Sequence, residues 1–279
     1  MSPAAMPQVW FVTGSSRGLG RAVVEAALDA GDRVVATARK PEQLDDLVAR
    51  YGDRLLPVAL DVTSAAAVEQ AVQAGFERFG RYDVVVNNAG YADMASVEDT
   101  TPESFRAQIE TNFLGLVSVT RAVLPILREQ GSGHVFQVSS LGGRLGTPGL
   151  SAYQSAKWAT GGFSTVLAQE VAPLGIKVTV LEPGGMTTDW AGSSMTVPPV
   201  SEPYRPTVGA VTAHIRAATT VAETDPRKVA QVIRTLAGRE DAPLRLVLGA
   251  QAYAMAQESA RTLAESDERW RELSESVVA

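Results

Sequence analysis

The chain has 279 residues, of which 45% are hydrophobic and 20% charged, a length and balance that one α/β domain with a sizeable core reaches. Its formal charge of −6 offers no basic face for nucleic acid or anionic lipid, and the absence of cysteine excludes a disulfide framework, a thiolate nucleophile and a cysteine-based zinc site. Met1 to Gln8 lacks a basic start followed by a long apolar run, and no stretch reads as the roughly eighteen apolar residues of a spanning helix, so a cytoplasmic protein with no nucleic-acid or membrane partner is expected.

The first strand is predicted at Val9–Val12, followed by a helix over Gly18–Ala30, a strand at Arg33–Thr37 and a helix over Pro41–Tyr51. A third strand, Leu55–Leu60, leads to a helix over Ser64–Phe79, and a fourth, Tyr82–Val86, to one over Thr101–Gln130. The fifth strand, His134–Val138, precedes a helix over Ala152–Pro173, and the sixth, Ile176–Leu181, is followed at a distance by a helix over Pro226–Gly238 and a strand at Leu244–Leu248. Ser64 and Thr101 stand where N-caps belong, Pro41, Pro102 and Pro226 suit first turns, and Gly31, Gly131 and Gly238 suit exits. The strands are near-continuous apolar runs, as strands covered on both faces are, and their alternation with helices predicts βαβ units in a parallel, doubly wound sheet. Two stretches break the rhythm. Thr187 to Pro206, rich in Pro, Ser, Gly and Met, reads as a lid within a substrate loop of about 186–220, and the charged stretch at about 251–278 reads as a C-terminal helical extension.

The first strand runs into Thr13-Gly14-Ser15-Ser16-Arg17-Gly18-Leu19-Gly20, where a helix starts at once. A pyrophosphate needs backbone N–H groups, close main-chain approach and a helix N-terminus; glycines placed here supply all three, so the turn is read as a dinucleotide cradle. Its Gly-x-x-x-Gly-x-Gly spacing makes a wider turn than Gly-x-Gly-x-x-Gly, and the plain alternative is a tight strand-to-helix connection. The end of the second strand faces the adenosine ribose in such folds, and a carboxylate there would repel a 2′-phosphate. Here Ala38 takes that place, Arg39 follows, and Arg17 approaches from the glycine turn. Two guanidiniums can fork a phosphate, so NADP(H) is expected over NAD(H); the bland reading of Arg39 and Lys40 is solvated charge.

Tyr153 and Lys157 stand four apart on a predicted helix and share a face. A nearby ammonium favours the phenolate, and bringing a pKa of roughly 10 to near neutrality takes about 4 kcal/mol, expected from Lys157 together with an oxidised nicotinamide. Tyr153 would then serve as general acid or base. Alone the pair is a common surface pattern. Context comes from the strand ending at Ser139-Ser140, thirteen residues before Tyr153 when counted from Ser140, because open α/β sheets bind ligands beyond the carboxyl ends of their strands. A hydroxyl there can bond a substrate oxygen; the plainer role is a turn cap.

Together these residues resemble the short-chain dehydrogenase/reductase family in its compact single-domain form. The resemblance is carried by Thr13-Gly14-x-x-x-Gly18-x-Gly20, Leu60-Asp61-Val62, Asn87-Asn88-Ala89-Gly90, Asn112, Ser140, Tyr153-x-x-x-Lys157, and Pro183-Gly184 with Thr188, in order across most of the chain. It implies a Rossmann-like doubly wound parallel sheet of about seven strands with helices on both faces, and an NADP-dependent enzyme interconverting a carbonyl and an alcohol. Within it Ser15, Ser16, Arg17 and Leu19 belong to the cradle, Asp61 accepts from the adenine amino group, and the Val62 backbone frames the ring. Asn88, Ala89 and Gly90 floor the site, Asn112 holds a water linking Lys157 to solvent, and Pro183, Gly184 and Thr188 meet the nicotinamide end. Ser140 orients the carbonyl, NADPH gives hydride, Tyr153 gives the proton, and Lys157 holds the nicotinamide ribose and lowers the tyrosine pKa. Two rivals are a sugar-nucleotide epimerase or dehydratase, whose substrate domain is usually larger, and a non-enzymatic NADP-binding regulator, which has no use for this catalytic set.

The loop residues Met186, Trp190, Met195, Pro198, Pro199 and Tyr204 point to an apolar, bulky ketone or alcohol, although ordinary packing uses the same residues. The glycine turn and Arg39 are most similar to members acting on steroids, retinoids or related lipophilic carbonyls. Family members commonly pair through the helices after the fourth and fifth strands, which implies a homodimer or homotetramer here, with Ala156, Ala159, Gly161 and Gly162 as a small-residue face. The long segment from Gln251 puts the tetramer in question.

Overall fold

The computed structural model describes residues 6–186, 195–218 and 224–278. Its strands are β1 (Val9–Thr13), β2 (Arg33–Ala38), β3 (Leu55–Ala59), β4 (Val84–Asn87), β5 (Gly133–Val138), β6 (Ile176–Pro183) and β7 (Arg245–Leu248). They pair in parallel as one seven-stranded sheet in the order β3-β2-β1-β4-β5-β6-β7, so the chain winds outward in both directions from β1 and β4. Helices α1 (Gly18–Asp29), α2 (Asp45–Tyr51), α3 (Ala65–Phe79), α4 (Pro102–Ile109), α5 (Gly115–Gln130) and α6 (Ser151–Val171) lie between the first six strands. After β6 come α7 (Ala210–Ala218) and α8 (Pro226–Ala237), and after β7 come α9 (Ala250–Arg269) and α10 (Arg271–Glu275).

Successive side chains of a strand point to opposite faces, and here each set meets its own core. Trp10, Val12, Val34, Ala36, Val84 and Val86 pack with α1, α2 and α8, whereas Val9, Phe11, Val35, Val85 and Val135 pack with α3, α5 and α6. Apolar side chains on both faces leave no room for polar alternation, which is why the strands read as continuous runs. Ser64 Oγ accepts from Ala67 N at 3.3 Å and Thr101 Oγ1 from Ser104 N at 3.1 Å, so both expected N-caps form. Gly131 ends α5 at φ +66°, a conformation costly for residues with a Cβ, whereas Gly238 ends α8 at φ −89° and needs no such freedom.

Several expectations are corrected. Pro41 opens a short 3-10 turn, Pro41–Leu44, so α2 starts only at Asp45. The helix expected over 101–130 is interrupted by a π-helical turn, Glu110–Leu114, centred on Asn112. Pro102–Gln130 also contains an 18-residue window of mean hydropathy 1.2, long and apolar enough by composition to cross a membrane, contrary to the expectation. Its apolar residues Val119, Val123 and Leu127 recur at helical spacing and bury against the sheet, which accounts for them within the fold. The small-residue face of α6 is not uniform either: Ala156 is fully buried and Gly161 makes room for the Arg245 guanidinium, leaving Ala159 and Gly162 nearer the surface.

Candidate active site

The carboxyl ends of the strands open into one cleft of about 990 Å³, the place where an open α/β sheet binds its ligands. At one end stands the glycine turn. Gly14 has φ +68°, and a Cβ on it would lie 2.9 Å from Ala89 Cα; on Gly20 it would lie 2.3 Å from Gly14 O. Thr13 Oγ1 accepts from Asn88 N at 2.9 Å and Ala89 N at 3.0 Å, while Asn88 Nδ2 donates to Thr13 O at 2.9 Å and Gly14 O at 3.1 Å. The end of β4 is thereby stitched to the turn. Arg17 is the N-cap of α1 but makes no side-chain cap bond, so the helix start is left to an outside anion. The side-chain-free cradle and this uncapped terminus fit a pyrophosphate.

Gly14, Ser16, Arg17, Gly18 and Leu19 line the cleft, as do Asn88, Ala89 and Gly90. Thr13, Ser15 and Gly20 stand behind that lining: Ser15 N donates to Thr37 O and Ser15 Oγ to Val12 O, both at 2.9 Å. Beyond the ends of β2 and β3 the lining is Ala38, Arg39, Asp61 and Val62. Asp61 Oδ1 accepts from Thr63 N at 3.0 Å and Thr63 Oγ1 at 2.7 Å, and these bonds, with Arg39 nearby, hold its carboxyl below the ordinary value.

At the other end Ser140 caps the turn Leu141–Gly143, its Oγ accepting from Gly142 N at 3.0 Å. Ser140 also stands close enough to Tyr153 to favour its phenolate. Lys157 donates to Val138 O at 2.9 Å and holds its ammonium 5.4 Å from the Tyr153 ring centroid. The expected lowering of the tyrosine pKa is not met by these groups: burial pushes Tyr153 up to about 12 against the pull of Ser140, and burial brings Lys157 down to about 8. Desolvation of both charged forms outweighs the contacts that would favour them. Asn112 donates to Tyr91 O at 2.8 Å and Gln108 O at 2.9 Å, and accepts from Tyr91 N at 3.2 Å. A Cβ on Gly90 would lie 2.5 Å from Asn112 Oδ1 and 3.6 Å from Lys157 Nζ, so this glycine is what lets the two groups approach. Pro183 and Gly184 close the cleft from β6.

The family profile described as short chain dehydrogenase matches residues 8–196, the span that carries all of these groups. The chain belongs to the short-chain dehydrogenase/reductase family. It is therefore an oxidoreductase acting on the CH–OH/C=O pair with a nicotinamide dinucleotide. It is 61% identical over 270 residues, 96% of this chain and 98% of the relative, to Oxidoreductase BOA17 of Botryotinia fuckeliana. A short-chain dehydrogenase from Streptomyces avermitilis superposes with TM-score 0.92 at 38% identity, covering 99% of this chain and 100% of that one. Another, from Burkholderia cenocepacia in complex with NADP, gives 0.73 at 27% identity, covering 94% and 97%.

Family motifs do not reach the substrate end. There Ala92, Met94, Leu150 and Tyr153 cluster with Met195, Val197, Val211 and Ile215. Of the expected lid, Thr188 and Trp190 lie outside the described residues, and the part from Met195 onward is docked. Met94 N donates to Thr196 O at 2.9 Å, Ser201 Oγ to Asp99 Oδ2 at 3.1 Å, and Tyr204 OH to Glu98 Oε2 at 2.8 Å, so Tyr204 is turned to Glu98 and does not line the cleft. Sequence reasoning missed Leu145, Leu150, Ile215, Gln251 and Met255, all of which line the cleft. The last two belong to α9, whose start is brought over Gly184: a Cβ there would lie 2.9 Å from Ala252 Cβ. No local pattern signals a helix returning to a cleft.

Proposed function

We propose that the chain is an NADP(H)-dependent enzyme interconverting an apolar carbonyl compound and its alcohol, with Tyr153 as general acid or base. The observation that carries the reading is that Ser140, Tyr153 and Lys157 line the same cleft as the glycine turn. When bound, the dinucleotide supplies or takes up the hydride. Gly14, Ser16, Arg17, Gly18 and Leu19 would hold its pyrophosphate, Asp61 and Val62 its adenine, and Lys157, Pro183 and Gly184 its nicotinamide end. Ser140 holds the carbonyl oxygen. In reduction the Tyr153 hydroxyl gives its proton to that oxygen; at about 12 its pKa keeps it protonated at neutral pH, the state a general acid needs. The Lys157 ammonium stabilises the phenolate left behind, and Asn112 fixes the backbone beside it.

NADP(H) is favoured over NAD(H) because Ala38 stands where a carboxylate would select NAD, while Arg17 and Arg39 line the cleft. Leu145, Leu150, Ile215 and Met255, which line the cleft, favour an apolar substrate, and 186–220 serves as the substrate loop. Leu114, Trp158 and Val166, exposed on the helices after β4 and β5, favour a homodimer or homotetramer, which light scattering measures directly. A cytoplasmic address belongs to the same reading and is checked by cell fractionation. The central test is NADPH oxidation against a panel of carbonyl compounds that includes sugar nucleotides, run in parallel on Tyr153→Phe. Turnover of apolar ketones by the wild type, lost roughly 100-fold or more in the variant with unchanged NADPH Kd, is expected. A Phe variant of near-normal rate refutes the role of Tyr153.

A further inference from the structure

Behind the cleft a carboxylate is buried between two guanidiniums. Glu182, on β6 next to Pro183, is fully buried and receives Arg144 on Oε2, with Nε at 2.6 Å and Nη2 at 2.5 Å. Arg245 of β7 approaches Oε1 with Nε at 2.9 Å and also through Nη2. None of the three lines the cleft, so the chemistry above makes no use of them. Their other contacts do bear on it. Arg245 Nη2 reaches Gly143 O at 3.5 Å, and a Cβ on Gly161 of α6 would lie 3.1 Å from the same nitrogen. Ser259 Oγ of α9 donates to Arg144 O at 2.9 Å. From the opposite side the turn after Ser140 is pressed onto α6: a Cβ on Gly143 would lie 2.9 Å from Lys157 O, and Ser139 Oγ donates to Lys157 O at 3.1 Å. The cluster therefore touches both carriers of the hydroxyl pair, the turn capped by Ser140 and the helix bearing Tyr153.

A buried ion cluster is a poor device for stability alone, because desolvation offsets most of its attraction and apolar side chains of equal volume often do as well. What apolar groups lack is direction. Each planar guanidinium meets its carboxylate oxygen through two nitrogens, which fixes the approach in angle as well as distance. We propose that Arg144, Glu182 and Arg245 are positioning residues that set the Ser140 turn against α6, and with it the Ser140–Tyr153 hydroxyl pair. The proposal rests on these two hydroxyls holding and protonating the substrate oxygen.

Arg245→Lys keeps the charge and removes the fork. The expected result is a kcat roughly ten-fold or more below wild type, with NADPH Kd unchanged, because a small misplacement at the reacting centre acts on the chemical step. Amide hydrogen exchange should rise in the peptide covering 139–146 and stay unchanged in β1 and β4. The triple variant Arg144→Met, Glu182→Leu, Arg245→Met removes every charge together, so no ion is left unpaired, and is expected to stay folded with the same loss of kcat. Either variant folded, with wild-type kcat and unchanged exchange at 139–146, overturns the proposal. So does a loss shared equally by NADPH Kd and by exchange across the whole sheet, which is general loosening. If the wild type reduces no carbonyl while Arg245→Lys still frees 139–146, the positioning contact stands and the reading of the reaction fails.

Discussion

Replacing Lys157 by Met should give a protein that is inactive and, at neutral pH, more stable. Lys157 is 4% exposed, and burial lowers its pKa from 10.5 to about 8. At about 1.36 kcal/mol per pH unit, that fall corresponds to about 3 kcal/mol of destabilisation below pH 8. The sign follows from the protons. Between about 8 and 10.5 the unfolded chain holds a proton that the folded chain has released, so wild-type stability rises with pH across that window. Met is of similar length and uncharged, but forfeits the 2.9 Å bond to Val138 O, a loss of about 1 kcal/mol. The variant should therefore be about 2 kcal/mol the more stable at pH 7, with an advantage that shrinks above about pH 8 and reverses near about pH 10. Urea unfolding followed by far-ultraviolet circular dichroism at several pH values measures this; for a slope of about 3 kcal/mol per molar urea, the neutral-pH midpoint rises by somewhat under about 1 M. A variant less stable than wild type at pH 7, or a gap that does not narrow as pH rises, would refute the argument, because the ammonium would then have a partner in the fold that outweighs its burial.

Arg39→Ala should raise the KM for NADPH by about ten-fold and leave that for NADH nearly unchanged, since an exposed guanidinium contributes one screened, charge-assisted contact to a 2′-phosphate; steady-state kinetics with both cofactors decides it, and an equal effect on both removes Arg39 from the choice. Gly20→Ala forces a Cβ to 2.3 Å from Gly14 O, so the turn must shift. The expected outcome is about 1–3 kcal/mol of lost stability and weaker NADPH binding, read by thermal melts and fluorescence titration. In the reductive direction kcat/KM should fall as pH rises through about 8, because the Lys157 ammonium is lost there while Tyr153 keeps its proton to about 12. A rate profile flat to pH 10 would mean that the charge on Lys157 is not needed.

The strands and their parallel, doubly wound sheet were legible because burial on both faces writes an apolar run, and because strand–helix alternation admits few right-handed solutions. Gly14 and Gly20 were legible for a related reason: the approach of Ala89 to the first and of Gly14 O to the second tolerates no Cβ, and Gly18 adopts φ +56°, so the constraint is written locally. The same signal could not separate residues that face a ligand from those that build the turn. Ser15 differs from Ser16 only in direction, and direction is set by Thr37 on the neighbouring strand. Ile215 and Met255 carried no signal, since each reaches the cleft through a long-range return of the chain and any apolar side chain would satisfy its local helix. The docking of 195–206 through Asp93, Glu98 and Asp99 was hidden likewise, because acidic residues in a loop read as solvated until a partner is placed beside them.

Tyr153 shows where residue types were read correctly and their balance was not. Spacing places Lys157 on the same helical face, and the two do approach, yet proximity alone does not decide a pKa. The ammonium lies 5.4 Å from the ring centroid, it is tied to Val138 O, and burial disfavours its charged form just as it disfavours the phenolate. Desolvation acts on every buried ionisable group, so here the tyrosine stays neutral although its neighbour remains an ammonium below about pH 8, until further charge arrives. A tyrosine held in this way is an acid at rest. It becomes a base only when a cation is brought to its face of the cleft, which makes the alcohol-oxidising direction the one that depends on positive charge beside Tyr153 and the reducing direction the one the resting site is already protonated to perform.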